Sequence, residues 1–269
     1  MTNLAPLYRF DSASAISRGQ RPYQEDAYIA DFSQGAEVGF AVLADGMGGH
    51  AAGDVASQIV VTEVFSELTF RRKTYEANAA AIPDVLRQAA DCANTSIQSY
   101  TQAHPMTKGM GATLVACVVI GDALHWISVG DSPLFLFRDN TLRQINEDHS
   151  LGPQVDMMVA AGALSAEEGR RHPDRSVLTS ALLGQDIPKI DCPASGFDVR
   201  AGDAIIIASD GLQYLSADDI ARVLRERPFA RSADIVDALM TAVQDLDDPD
   251  LDNVTIGLIQ VQYASANNG

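Results

Sequence analysis

Cysteine is scarce in this chain: Cys92, Cys117 and Cys192 are all that 269 residues hold. They are widely spaced and form no CxxC pair, which argues against a zinc knuckle and a dithiol redox motif. A sparse, odd set suits a reducing compartment. Cys117 lies inside an apolar run and is expected to be a small core residue. Histidine is nearly as sparse, and His50, His104, His125, His149 and His172 form no HExxH-like cluster. No apolar stretch reaches about 18 residues, so no transmembrane helix is expected. Residues Met1 to Phe10 lack a basic region followed by an apolar one, so no secretory signal is read and a cytoplasmic location is expected. Basic residues are outnumbered, 19 Lys and Arg against 36 Asp and Glu, for a net charge of −17. That balance argues against a nucleic-acid partner, which needs Lys and Arg for its phosphates, and against an anionic membrane.

Strand-like runs are present in number. They cover Tyr8 to Ile16, Ala27 to Asp31, Val38 to Ala44, Thr113 to Ile120, Ala123 to Val129, Leu134 to Arg138, Ala204 to Ala208 and Val254 to Val261. Asp139-Asn140 reads as the turn of a hairpin between Leu134–Arg138 and Leu142–Ile145. Apolar residues at three- and four-residue steps predict helices over Gly53 to Leu68 and, less strongly, Val85 to Tyr100. Asp218 to Arg225 and Ser232 to Leu246 also read as helical, with Ser216 and Ser232 as candidate N-caps. Between Asn146 and Leu183 only short helical pieces occur, Gln154 to Ala160 and Ser165 to Arg171, which predicts an insertion into one domain rather than a second core. Strands and helices come in groups and do not alternate. This order predicts antiparallel sheets covered by helices, an α+β architecture.

The chemistry lies in the acids. Glu25-Asp26, Asp45, Asp131, Asp210 and Asp252 stand at the ends of predicted strands. A single Asp-Gly pair is most often a turn. Five acid positions brought to strand ends would each lose hydration, and a cation is the usual partner. Oxygen-only donors select Mg²⁺ or Mn²⁺ over Zn²⁺, which prefers His or Cys. Two such ions bridged by one carboxylate sit about 3.5–4 Å apart and activate a shared water against an electrophile such as phosphorus. An anionic substrate then needs a positive anchor. Arg21, four residues before Glu25, is the nearest candidate, with Arg18 as its competitor.

The segments Arg21-Pro22-Tyr23-Gln24-Glu25-Asp26-Ala27, Ala44-Asp45-Gly46-Met47-Gly48-Gly49, Gly111-Ala112-Thr113, Gly130-Asp131-Ser132, Ala208-Ser209-Asp210-Gly211 and Asp252-Asn253-Val254-Thr255 occur in that order. The series resembles the motifs of metal-dependent Ser/Thr protein phosphatases of the PPM family (PP2C type), in the compact bacterial form. The likeness runs from about Arg9 to Gln260, and six ordered motifs are far more specific than any one. The resemblance implies a four-layer αββα sandwich, with two central antiparallel sheets flanked by helices, as a single domain over residues 1–269. It implies a flap at about residues 146–183 that includes His172-Pro173 and Arg175-Ser176.

The resemblance also implies roles. Asp45 would bridge two Mn²⁺ or Mg²⁺ ions, with the Gly46 carbonyl on one of them and Asp210 and Asp252 on the other. Glu25 and Asp26 would lie in or beside the metal shell, Arg21 would bind substrate phosphate, and Asp131 would help Asp210 hold a weaker third ion. The implied activity is hydrolysis of phosphoserine and phosphothreonine on proteins by a water activated at the binuclear centre. The expected partners are phosphoprotein substrates and an opposing Ser/Thr kinase, and a monomer suffices. Gln24 stands where the family often has Asn. Met47 stands where eukaryotic members carry His, which removes one candidate general acid. His50 is read as support for the glycine turn, and a water on the third ion is the alternative proton donor. Two other readings are a metal-dependent phosphodiesterase or nucleotide hydrolase, and a silent phosphoprotein-binding pseudophosphatase. The latter is disfavoured because every expected acid is present.

Overall fold

Along Val38–Met47 successive side chains face opposite ways, as a pleated strand requires. Phe40, Val42 and Ala44 enter one buried cluster, and Ala41 and Leu43 enter another. A strand apolar on both faces must be covered on both. Ala204–Ala208 repeats the pattern: Ile205 and Ile207 share the second cluster with Ala41 and Leu43, while Ala204, Ile206 and Ala208 belong to a third.

The computed structural model describes residues 8–33, 38–48 and 52–263. In chain order the elements are β1 (Tyr8–Ser17), β2 (Asp26–Asp31), β3 (Val38–Met47), α1 (Ala52–Phe70), α2 (Arg72–Ala77), α3 (Ile82–Ala103), β4 (Gly111–Ala112), β5 (Leu114–Ile120) and β6 (Ala123–Val129). They continue with β7 (Leu134–Arg138), β8 (Thr141–Gln144), α4 (Gly152–Ala160), α5 (Ala166–Arg170), β9 (Phe197–Asp198), β10 (Ala204–Ala208), α6 (Ala217–Arg225), α7 (Ser232–Gln244) and β11 (Val254–Tyr263).

One sheet has the strand order β1-β11-β10-β7-β8 and the other β2-β3-β5-β6-β9, with β4 paired to the end of β3. Every pairing is antiparallel. The sheets face each other across Leu43, Val115, Cys117, Leu134, Ile205 and Ile259. Helices α1 and α3 cover the outer face of the second sheet through Val60, Val64, Leu86 and Ala93. Helices α6 and α7 cover the first through Ile220, Leu224, Ile235 and Leu239. The result is the αββα sandwich that the sequence resemblance implies, and Cys117 is the buried core residue expected.

Asp139 and Asn140 take φ of 52° and 63°, the left-handed pair that a two-residue hairpin turn demands. Ser216 caps α6 by accepting from Asp219 N, as predicted. Ser232 does not cap α7, whose N-cap position is Arg231. The Ser232 main-chain N–H instead donates to Asp11 Oδ2 (2.7 Å) and its hydroxyl donates to Asp11 O (2.7 Å), so the cap comes from β1, 221 residues away. Strands β4 and β9 and helix α2 were not foreseen. Two residues are too few to show a period, and α2 exposes most of its length and buries only Tyr75.

The outer end of the first sheet is held by charge. Arg138, at the end of β7, donates from Nε to Asp203 Oδ1 (2.8 Å) and from Nη2 to Asp203 Oδ2 (2.5 Å). The Asp203 side chain is 1% exposed, so losing the guanidinium would leave a buried carboxylate short of its partner. Arg138→Ala is expected to destabilise the fold by about 3 kcal/mol in urea titration. Arg138→Ala/Asp203→Asn should recover part of that loss.

Candidate metal centre

The acids meet at one end of the sandwich because strands from both sheets end there. In the β2–β3 pairing, Asp26 lies directly opposite Asp45. Asp131 follows β6, Asp210 opens a 3₁₀ turn just after β10, and Asp252 stands just before β11. Arg21, Glu25, Asp45, Asp131, Asp210 and Asp252 all line one cleft of about 350 Å³, and Ser176 and Leu178 from the 146–183 segment form part of its wall. The structure thus brings together every predicted site residue except one. Asp26 does not reach the cleft wall but lies beneath it, 3% exposed.

The opening of the glycine segment differs from expectation. Asp45, Gly46 and Met47 are still within β3, Asp45 paired to β2 and Gly46 and Met47 to β4, and do not form a turn after it. Gly46 is required for close approach: a Cβ there would lie 2.0 Å from Gly53 O and 2.7 Å from Glu25 O. The sharp change of direction comes at Gly48, with φ of +136°. Gly49 and His50 lie outside the described residues.

Hydroxyl groups fix the acids in place. Asp26 Oδ2 accepts from Thr255 Oγ1 (2.7 Å) and Ser209 Oγ (2.8 Å). Asp45 N donates to Thr113 Oγ1 (3.0 Å), Thr113 N donates back to Asp45 O (2.8 Å), and Thr113 Oγ1 also meets Ser132 Oγ at 2.8 Å. Thr113, Ser132, Ser209 and Thr255 lie within the recognised motifs, but sequence reasoning assigned them no role. For Ser132, Ser209 and Thr255 the signal was a hydroxyl beside or near an acid at a strand end, whereas Thr113 has no acid near it in sequence.

Electrostatics at the site are dominated by burial and mutual repulsion. Burial, opposed by the Thr255 and Ser209 hydroxyls and reinforced by Asp210 and Asp252, pushes Asp26 up to about 7. Asp131 rises to about 7 through burial, with Asp210 and Asp148 adding to it. Asp210 rises to about 6, from burial and then Asp252. Asp45 is held well above the ordinary carboxylate range by burial, then by Asp26, Asp210, Asp131 and Asp252. Asp45 and Asp210 disfavour each other's ionisation, as two carboxylates sharing one site do. Glu25 is raised by burial and by Asp252. Among the described residues Arg21 is the one cation that lines the cleft, and it pairs with Asp252.

A divalent cation fits this donor set. Asp26 Oδ1 and Glu25 Oε1 are buried and find no hydrogen-bond partner among the described residues. The available donors are carboxylate and main-chain oxygens, which suit Mg²⁺ or Mn²⁺. Among the described residues no three His, Cys, Asp or Glu side chains are grouped closely enough to hold an ion by themselves. Arg21 occupies Asp252, and the hydroxyls occupy Asp26. Mg²⁺-type sites retain several waters and need only one or two carboxylates each, so a sparse shell is compatible with such an ion.

These raised pKa values fix a sign. A carboxyl whose folded pKa exceeds its unfolded value of 3.8 contributes stability that is full below that value and lost as pH rises through the folded pKa. Metal-free protein is therefore expected to melt at a lower temperature at pH 8 than at pH 5. Adding millimolar Mn²⁺ should raise the melting temperature at pH 8 far more than at pH 5, as read by calorimetry.

Comparison with known proteins bears on the family and the fold. The family model described as protein phosphatase 2C matches residues 13–251. The serine/threonine protein phosphatase PstP of Mycobacterium tuberculosis is 34% identical over 192 residues, which cover 71% of this chain and 35% of that protein. A putative protein phosphatase 2C-type protein of Streptococcus pyogenes is 32% identical over 243 residues, covering 90% of this chain and 93% of that one. The crystal structure of the PstP catalytic domain in complex with two manganese ions superposes with a TM-score of 0.76 at 29% identity, covering 95% of this chain and 99% of that one. Family match, identity, fold and the ordered acids agree, and the chain belongs to the protein phosphatase 2C family.

Proposed function

We propose that this chain hydrolyses phosphoserine and phosphothreonine on proteins at a two-ion Mn²⁺ or Mg²⁺ centre. The observation that carries the reading is the cleft: Glu25, Asp45, Asp131, Asp210 and Asp252 face one small space that also holds Arg21. The two manganese ions described for the PstP catalytic domain support the same stoichiometry here. Asp45, the Gly46 carbonyl, Asp210 and Asp252 would hold the two ions, with Glu25 and Asp26 beside them, and Asp131 with Asp210 would serve a weaker third. When bound, the ions supply Lewis acidity that lowers the pKa of water and offsets phosphoryl charge.

The remaining work falls to the chain's own side chains. Asp45 is pinned at its main-chain N and O by Thr113, so its carboxylate is presented from a fixed base. Asp26 braces it from below, itself fixed by Ser209 and Thr255. The Arg21 side chain is 52% exposed, and its planar fork can take two phosphate oxygens once Asp252 turns to an ion. Ser176 and Leu178 bring the 146–183 segment to the cleft rim, where a protein substrate would pass. That segment is read as the flap of a single phosphatase domain. Catalysis needs no nucleophilic Ser or Cys.

The natural partner is a Ser/Thr kinase whose products this chain would reverse, and a cytoplasmic setting suits it. Among the described residues no helix is long and apolar enough to cross a membrane.

The test is phosphopeptide turnover with and without Mn²⁺, with a cyclic nucleotide as competing substrate class. Chelation with EDTA should abolish phosphopeptide turnover, and activity that survives it would sink the reading. Asp210→Asn should lower kcat by at least about 100-fold with the fold intact by circular dichroism. Arg21→Ala should raise KM about tenfold with a smaller change in kcat. Preference for the cyclic nucleotide would favour a phosphodiesterase.

A further inference from the structure

Asn253 lies one position past Asp252 and is 4% exposed. Its amide is committed to one segment of chain far away in sequence. Nδ2 donates to Arg18 O (2.8 Å) and to Tyr23 O (3.0 Å), and Oδ1 accepts from Glu25 N (2.6 Å). These three main-chain groups bracket the loop of residues 18–25, with Arg21 between them. The loop has few other anchors. Gln20 N donates to Leu251 O at 2.9 Å, Arg21 N to Arg18 O at 3.3 Å, Gly46 N to Glu25 O at 3.0 Å, and Arg18 Nη1 to Pro22 O at 3.4 Å. Gly19 takes φ of +58°, and a Cβ there would lie 2.1 Å from Asp252 O, so the loop winds tightly round residues 251–253.

An amide is the side chain this place requires. A carboxylate would set negative charge against two carbonyl oxygens, and a hydroxyl could not donate to both while accepting from Glu25. The three bonds make a clasp between the start of β11 and the loop that carries Arg21 into the cleft.

We infer that Asn253 is a positioning residue for substrate, holding the 18–25 loop so that the Arg21 guanidinium reaches the phosphate from a fixed base. The inference rests on the reading of Arg21 as the phosphate anchor. Arg21 is exposed and long, and freeing its main chain would add disorder that phosphate binding must then remove. Asp45 and Asp210 stand on other elements, so the loss falls on substrate capture more than on the chemical step.

A double-mutant cycle tests this on the full chain at saturating Mn²⁺. Asn253→Ala and Arg21→Ala are made singly and together. Phosphopeptide KM and kcat are measured, with inorganic phosphate binding followed by calorimetry. Asn253→Ala is expected to raise KM and the phosphate Kd about tenfold, the scale of one lost hydrogen bond, with kcat within about twofold. In the Arg21→Ala background the same change should add less than about twofold. Hydrogen exchange should show the Glu25 amide losing protection in Asn253→Ala while the Thr113 amide, which donates to Asp45 O, keeps it. Should Asn253→Ala fail to fold, Asn253→Ser, which keeps one donor, carries the same cycle. Equal effects of the Asn253 change in both backgrounds would overturn the clasp alone. An unchanged KM and phosphate Kd in Arg21→Ala would overturn the phosphate reading of Arg21 and the clasp with it.

Discussion

Buried carboxylates that repel one another are the constraint on which the rest of this structure depends. Asp26 and Asp45 are direct cross-strand partners, an arrangement of like charge that weakens a sheet. Asp210, Asp131 and Asp252 add to the same repulsion. The acids stay together because the fold holds their main chains elsewhere: three apolar clusters and two five-strand paths fix the strands whose ends carry them. Stability generated in the layers is opposed at one end, where a divalent cation would relieve the strain.

The sandwich suits this purpose for a geometric reason. Its two sheets share an inner core, so strands from both can end side by side. Asp45 comes from the second sheet, while Asp210 and Asp252 flank strands of the first. Asp26, on the second sheet, accepts hydroxyl bonds from Ser209 and Thr255 on the first, so the base of the site is also a polar seam between sheets. The helical layers take no part in this seam, save that the first turn of α1 passes close to Gly46 and Glu25 at Gly53.

Much of this was legible in the sequence, and the reason is physical. Runs such as Val38 to Ala44 and Ala204 to Ala208 are apolar because both faces are covered, and burial of that kind leaves a strong local pattern. The acids stood out because each followed or preceded such a run. What was not legible is nonlocal. Ser232 looked like a cap because caps are usually local, yet its helix is capped by Asp11 from another strand. Ser209 and Thr255 meet Asp26 across 183 and 229 residues, distances at which sequence spacing carries no signal. Gly46 looked like a turn residue because close approach and turning leave the same letter, and only the position of Gly53 O distinguishes them. Strands β4 and β9 are two residues long and exist only because a neighbour pairs with them.

The pairing of β1 with β11 has a consequence for the order of assembly. Tyr8 pairs with Tyr263 and Ser17 with Val254, so the first and last described strands lie side by side. Contacts of such long separation form slowly, because a loop of most of the chain must close before they gain anything. A ribosome releases Asp26, Asp45, Asp131 and Asp210 before it releases Asp252. Until β11 docks, β1 has no neighbour in its sheet and β10 lacks one of its two. The cleft therefore closes last, when the strand that follows Asp252 and Asn253 fills the gap between β1 and β10. A growing chain can set Asp26 against Asp45 as soon as β2 meets β3, but it brings Asp252 to them only as the fold completes.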